Sequence, residues 1–223
     1  MPRPLHPTAL VTGGNRGIGR AIAAGLVAKG CSVTIGARSS DEGRAAAETL
    51  HCRHLQIDLT DPDSYFDAFA AAGGWDILVN NAGILGHASL LDKASDFTTA
   101  MEVMVHAPLD LIRLNMPHWR RIGWGRVVNL SSGWGSHAQG LGGPGAYGVA
   151  KAALNALTRA LVRDLPHGVK INACDPGWVA TRMGGATAPL SPEEGADTPI
   201  WLALLPDDGP TGGFYRKRQP AAW

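Results

Sequence analysis

Short apolar runs alternate along the whole chain with longer segments in which apolar residues recur every three or four positions. Runs at residues 8–12, 32–37, 54–57, 77–80, 126–130 and 170–174 read as strands, with a last one at 213–216. Helical periodicity fills residues 17–29, 41–51, 61–72, 96–121, 145–164 and 191–204. The last of these opens on Ser191-Pro-Glu-Glu194, which puts a cap, a first-position proline and a third-position glutamate in helix-starting order. Strand–helix alternation predicts an α/β fold: a doubly wound parallel sheet of about seven strands with helices on both faces. No linker divides the chain, so a single domain over 1–223 is expected. Its two Gly/Pro-rich loops, 133–145 and 177–192, follow strands at their carboxyl ends, where such sheets build ligand sites.

Composition narrows the class. A net charge of +1, mixed along the chain, gives no electrostatic case for nucleic acid or an anionic membrane. Cys31, Cys52 and Cys174 are far apart and fit no disulfide or metal spacing, and the histidines show no ligand spacing either, so no metal is expected. Residues 1–7 carry no apolar run and no stretch reaches the length of a membrane span, so a cytoplasmic protein is expected. Arg216-Lys217-Arg218 reads as a solvated charge run.

Candidate chemistry starts with Tyr147 and Lys151, four residues apart on one helical face. A nearby cation favours phenolate, and a phenol so tuned exchanges a proton with a substrate oxygen near neutral pH. The pair is common on surface helices, so its surroundings decide. Thr12-Gly-Gly-Asn-Arg-Gly-Ile-Gly19 joins the first strand to the first helix. Glycines there permit a tight turn, and the helix N-terminus offers N–H groups to a pyrophosphate. The second strand ends at Ala37-Arg38 with no acid to hold ribose hydroxyls, and Arg16 lies inside the glycine turn. Two guanidinium groups suit a phosphate, so NADP(H) is favoured over NAD(H), with Asp41 the feature on the other side.

With Asp58-Leu59 after the third strand, Asn80-Asn-Ala-Gly83 after the fourth, Ser131-Ser132 before the Tyr-Lys pair and Asp175-Pro-Gly-Trp-Val-Ala-Thr181, the chain resembles the short-chain dehydrogenase/reductase family, carbonyl-reductase-like, from Thr8 to Trp223. The resemblance implies a Rossmann-type fold and a nicotinamide cofactor held by Gly13, Asn15, Arg16, Gly17, Ile18 and Gly19. Arg38, Asp58 and Leu59 would serve the adenosine end, with Asp58 on the adenine. Asn81, Ala82 and Gly83 would shape the sheet beside the cofactor. Pro176, Gly177, Val179 and Thr181 would lie along the nicotinamide. As bare residues, Asp58 reads equally as a helix cap and Asn80 and Asn81 as turn formers.

The implied reaction is hydride transfer between cofactor and a carbonyl carbon. Tyr147 would give a proton to the oxygen, Ser132 (or, second, Ser131) would orient it, and Lys151 would lower the tyrosine pKa and touch the nicotinamide ribose. Substrate-lining candidates are His87, Trp134, His137, Gln139, Trp178 and Met183, which suggest an apolar or aromatic ketone or aldehyde. One departure stands out. Met104 occupies the position where the family carries an Asn that holds a water linked to the lysine, and a thioether cannot replace a carboxamide. His106 lies about 200° round the helix and Asn115 about 16 Å along it, so neither substitutes. The long helices 96–121 and 145–164 are the family's pairing surface, which implies a homodimer or homotetramer. A redox-neutral enzyme (isomerase, dehydratase or cyclase) and a non-catalytic nucleotide binder are the alternatives on the same scaffold.

Overall fold

The computed structural model describes residues 3–92 and 96–223; Met1 and Pro2, at the start of the 1–7 stretch, lie outside the described residues. Eight strands form one sheet: β1 (Thr8–Thr12), β2 (Ser32–Ala37), β3 (Arg53–Gln56), β4 (Ile77–Asn80), β5 (Gly125–Leu130), β6 (Val169–Cys174), β7 (Phe214–Arg216) and β8 (Gln219–Pro220). Their order is β3-β2-β1-β4-β5-β6-β7-β8, parallel through β7, with β8 antiparallel at the edge. The order reverses between β1 and β4, which opens a crevice at their carboxyl ends.

Burial explains the sheet. Within β1, Ala9 and Val11 point into a core with Ile22 and Leu26 of α1 (Gly17–Ala28) and Leu202 of the last helix. Leu10 points into the opposite core, with Phe69, Leu78 and Trp119. That is period-two alternation with both faces covered. Each fully buried Leu or Ile contributes about 1.5–3 kcal/mol relative to exposure.

Local signals set the helix ends. In α2 (Ser40–Leu50) Ser39 caps through Glu42 N–H, and in α3 (Pro62–Ala72) Asp61 caps through Asp63 N–H with Gly73 left-handed at the far end. The cap of α3 is therefore Asp61, not Asp58. A full capping box starts the last helix (Pro192–Ala203) at Ser191 and Glu194.

The structure departs from expectation at the sheet edge and in the long helices. The edge carries an eighth strand, because Lys217 and Arg218 both take positive φ (51° and 59°) and turn the chain back. Arg218 is not simply solvated: its side chain pairs with Asp197 and its N–H donates to Thr198 Oγ1 at 3.1 Å. The long helix over 96–121 is broken into α4 (Phe97–Met101), a π-helical turn (Glu102–His106) and α5 (Ala107–Ile122). Pro108 supplies the reason: it has no N–H for the carbonyl four residues back, that of Met104, and its ring crowds it. The other long helix, α6 (Tyr147–Ala160), ends in a 3-10 turn at Leu161–Arg163. Among the described residues no helix is long and apolar enough to cross a membrane.

Candidate active site

The glycine turn leaves β1 at the crevice and is held from β4. Thr12 Oγ1 accepts the N–H groups of Asn81 and Ala82 at 3.0 and 3.1 Å, while Asn81 Nδ2 donates to Thr12 O at 2.8 Å and Gly13 O at 3.3 Å. Asn81 thus ties the two strand ends together across the crevice. Gly13 and Gly17 have φ of 64° and 53°, and a Cβ on Gly19 would lie 2.3 Å from Gly13 O. No other residue fits there without moving backbone. Helix α1 then begins at Arg16 with no side-chain cap and no acid in its first turn, so its N–H groups remain available to an anion. Thr181 reaches this turn from the far loop, its Cγ2 3.2 Å from where a Cβ on Gly17 would sit.

Arg16 and Arg38 are both exposed at this edge. Asp41 does not turn toward them; it pairs with Arg44 at 3.8 Å, its side chain 96% exposed. Glu42 does, accepting from Asn15 Nδ2 at 2.8 Å and facing Arg16 at 3.6 Å. Sequence reading missed Glu42, although Ser39-Ser-Asp-Glu42 is a cap pattern that places Glu42 on the exposed first turn of α2. Asp58 Oδ1 accepts from Thr60 N–H and Oγ1 at 3.0 and 2.8 Å, which fixes its carboxyl beside the β3 end.

Tyr147 is the first residue of α6 and Lys151 lies one turn on, fully buried beneath it. Lys151 Nζ donates to Leu130 O at 2.6 Å and stands 5.5 Å from the centre of the Tyr147 ring. Ser131 is buried with its hydroxyl toward Lys151 O (3.4 Å), whereas Ser132 Oγ accepts Trp134 N–H at 3.2 Å, in the loop whose Trp134 ring meets Tyr147.

The electrostatics differ from the expectation that Lys151 depresses the phenol pKa. Burial pushes Tyr147 up to about 12, the Asp175 carboxylate adds to this, and the Ser132 hydrogen bond opposes it. Burial pulls Lys151 down to about 8. Desolvation dominates because the site lies deep at the carboxyl edge of β5 and β6. Burial thus favours the protonated phenol of Tyr147 and brings the Lys151 amine down toward neutrality. Cys174 behind it stays a neutral thiol, pushed up by burial.

Met104 lies in the π-helical turn, 1% exposed. Its Sδ is 3.4 Å and Lys151 Nζ 3.7 Å from where a Cβ on Gly83 would lie, so the thioether shares the lysine's pocket. His106 is exposed, and Asn115 Oδ1 accepts Trp75 N–H at 2.8 Å, near the other end of the sheet. Neither stands in for the carboxamide.

Of the substrate candidates, Trp134 is the one set directly on the phenol: the rings meet edge-on, 6.0 Å between centres. Its loop lies flat on α6 because Gly135 and Gly148 have no side chains; a Cβ on Gly148 would overlap Gly142 O. His87 is exposed on a loop whose Gly86 and Ala88 carbonyls press on Gly145. Gln139 and His137 are exposed further along the Trp134 loop. Trp178 and Met183 are 56% and 42% exposed and belong to the loop after β6, with Trp178 Nε1 donating to Gly184 O at 2.7 Å. In that loop Gly177 takes a φ of 81° beside Pro176, and Val179 bridges to Leu190.

The Trp134 loop is also held from the C-terminal segment: Ser136 Oγ donates to Ala222 O at 2.8 Å and Ala138 N–H to Trp223 O at 2.8 Å. Trp223 stacks on Phe214 of β7, centres 5.4 Å apart. No local pattern announces a contact across 86 residues. A separate cleft of about 520 Å³ opens at the amino ends of the strands, lined by Arg53, Asp76, His118 and Arg121, and contains none of the candidate residues.

Comparison with known proteins agrees with this geometry. Carbonyl reductase (NADPH) 1 of Mus musculus is 34% identical over an alignment of 282 residues, covering 98% of this chain and 99% of the relative. The alignment is longer than the 223 residues of this chain, so the relative carries segments this chain lacks. Among solved structures, the carbonyl reductase Sniffer of D. melanogaster superposes with a TM-score of 0.85 at 27% identity, covering 98% of this chain and 100% of that one. The Pseudomonas aeruginosa RhlG/NADP active-site complex superposes with a TM-score of 0.84 at 32% identity, covering 94% of each. The family profile described as short chain dehydrogenase matches residues 7–190, and the chain belongs to that family.

Proposed function

We propose that the protein is an NADP(H)-dependent oxidoreductase that interconverts a ketone or aldehyde with its alcohol. The observation that carries this reading is Tyr147 at the start of α6 with Lys151 Nζ buried 5.5 Å from its ring, at the same sheet edge as Ser132 and as a glycine turn that Thr181 approaches. Relatives named as NADPH carbonyl reductases, and a neighbour named as an NADP complex, support it.

The residues present fit a dinucleotide. The uncapped start of α1 and the side-chain-free cradle at Gly13, Gly17 and Gly19 would take the pyrophosphate, and Arg16 with Arg38 the 2′-phosphate. When bound, the cofactor supplies or accepts the hydride. The chain does the rest. Tyr147, protonated at neutral pH, donates to the carbonyl oxygen as the alcohol forms. Ser132 orients that oxygen and steadies its developing charge. Lys151 places a buried cation beside the phenolate that remains, and near pH 8 it is itself able to pass the replacing proton. Trp134, edge-on to Tyr147, offers an apolar wall to an aromatic or aliphatic carbonyl compound.

The test is NADPH consumption against a panel of ketones and aldehydes. Tyr147→Phe should lower kcat/KM about a hundredfold or more while NADPH still binds. Turnover unchanged in that variant would reject the mechanism, and conversion without nicotinamide oxidation would point to a redox-neutral enzyme.

A further inference from the structure

The cleft at the amino ends of the strands lies at the opposite edge of the sheet from Tyr147 and Lys151. At about 520 Å³ it has the size of a pocket for a small organic molecule. The one acid in its lining is already committed. Asp76 is 6% exposed; Oδ2 accepts Thr8 N–H at 2.7 Å and the Thr8 hydroxyl at 3.1 Å, and Oδ1 lies 2.8 Å from His118 Nε2. The other ring nitrogen, Nδ1, stands 3.0 Å from Arg121 Nη2. A guanidinium can only donate, so Nδ1 accepts and the imidazole proton sits on Nε2, directed at Asp76. Gly74, in the α3–β4 turn, leaves room for this chain of contacts: its φ is 105°, and a Cβ there would lie 2.7 Å from His118 Cβ.

Arg121, near the end of α5, is thus an exposed arginine held in place through one N–H. Arg53 of β3, also exposed, lines the same cleft. Among the described residues neither arginine pairs with an acid. With Asp76 occupied by Thr8 and His118, the cleft keeps an excess of positive charge, and its concave shape focuses that field. Guanidinium groups take carboxylate and phosphate oxygens through paired, charge-assisted hydrogen bonds. Leu55, Ala71 and Trp75 add apolar lining, which a bare inorganic ion would leave unused.

We infer that this cleft is a second binding site, for an oxyanion (a carboxylate or a phosphate) carried on an apolar body. Arg53 and Arg121 take the anionic head, and Leu55, Ala71 and Trp75 meet the body. Asp76 and His118 are positioning residues that hold Arg121. The site shares no residue with the crevice that carries the glycine turn and Tyr147, so its occupant binds alongside a dinucleotide.

The experiment is calorimetric titration of the full chain with benzoate and with phenyl phosphate, at low ionic strength, with and without NADP+. At least one probe should bind saturably, with an affinity that NADP+ leaves unchanged. The tighter of the two identifies the head group as carboxylate or phosphate. Arg121→Gln and Arg53→Gln should each weaken that probe about tenfold. Arg120→Gln, which alters the adjacent exposed arginine outside the cleft, should leave it unchanged. Should Arg121→Gln not fold, Arg53→Gln decides, since no ion pair among the described residues depends on Arg53. Failure of both probes to bind would overturn the proposal, as would displacement of the bound probe by NADP+. An equal loss in Arg120→Gln would reduce the effect to diffuse surface charge and overturn it too. Inorganic phosphate binding as tightly as phenyl phosphate would reject the apolar half of the site.

Discussion

The two halves of the crevice are built by different means. On the cofactor side, backbone and short side chains do the work: Thr12 and Asn81 lock β1 to β4, and glycines at 13, 17 and 19 sit where a Cβ would strike main chain or demand positive φ. On the substrate side, long side chains and a distant segment do it. Trp134 leans on Tyr147, Gly142 and Gly143 lie under its ring, and the loop hangs from the carbonyls of Ala222 and Trp223. The first half resists any substitution because its neighbours cannot move. The second adapts around Trp134, where the neighbours of Gly142 and Gly143 are side-chain atoms, although Gly135 and Gly148 still meet backbone. That division suits a fixed cofactor and a variable carbonyl compound.

Gly19→Ala breaks the comparison hardest. The new Cβ would meet Gly13 O and Asn81 Nδ2 at 2.3 and 2.4 Å, so the Asn81 clamp must open. The expected cost is about 2–3 kcal/mol, read as a lowered Tm and a loss of NADPH affinity of about a hundredfold. Gly142→Ala is the matched control. Its Cβ would meet only Trp134 Cδ1, at 3.2 Å, and that ring can tilt. It should alter KM for the carbonyl compound by a few-fold and leave NADPH titration unchanged. Equal effects from the two would erase the distinction.

Lys151 lies where the halves join, and its burial makes a pH-dependent prediction. Its folded pKa of about 8 is below the unfolded value of 10.5, so between them the unfolded chain binds more protons and stability rises with pH. Below pH 8 the full penalty is present, on the order of 3 kcal/mol. Lys151→Met should therefore abolish turnover yet raise Tm at pH 7, less the hydrogen bond to Leu130 O, and the gain should fade as pH approaches 10. Tm measured across that range decides; a Tm difference independent of pH would show that the lysine is not desolvated.

The same division governs what the sequence disclosed. The strands and the glycine turn were legible because period-two burial and φ-restricted glycines are local signals, and the spacing of Tyr147 and Lys151 placed both on one face of α6. Less was legible wherever a contact spans the fold. The tie between Ser136 and Ala222, the approach of Glu42 rather than Asp41 to Arg16, and the Asp175 carboxylate under Gly133 depend on tertiary placement. The break at Glu102–His106 was legible in principle from Pro108, but apolar periodicity runs through it undisturbed. The tyrosine pKa went the other way because spacing reports proximity and is silent on desolvation.

Trp223→Ala probes the adaptable half without touching the reacting groups. Losing the stack on Phe214 frees the carbonyl that receives Ala138 N–H, so the Trp134 loop samples more conformations. KM for a bulky aromatic ketone should rise about tenfold, roughly the worth of one aromatic pair, while kcat and NADPH affinity hold. A fall in kcat with KM unchanged would mean that the C-terminal segment positions Tyr147 itself.

Glu42→Gln carries the smallest expected effect and bears on the one pliable spot of the rigid half. The Arg16–Glu42 pair is about half exposed on both sides, at 3.6 Å, so it is worth at most about 1 kcal/mol. A 2′-phosphate drawn to Arg16 must compete with that carboxylate, whereas a ribose hydroxyl gains from it as an acceptor. Removing the charge should tighten NADPH about two- to fivefold and leave NADH equal or weaker. Titration of both cofactors at low ionic strength is the measurement, since added salt screens an exposed pair. Equal tightening of the two would place Glu42 beside the pyrophosphate. Selective tightening of NADPH makes Glu42, three residues into the cap of α2, the residue through which the chain moderates its own preference.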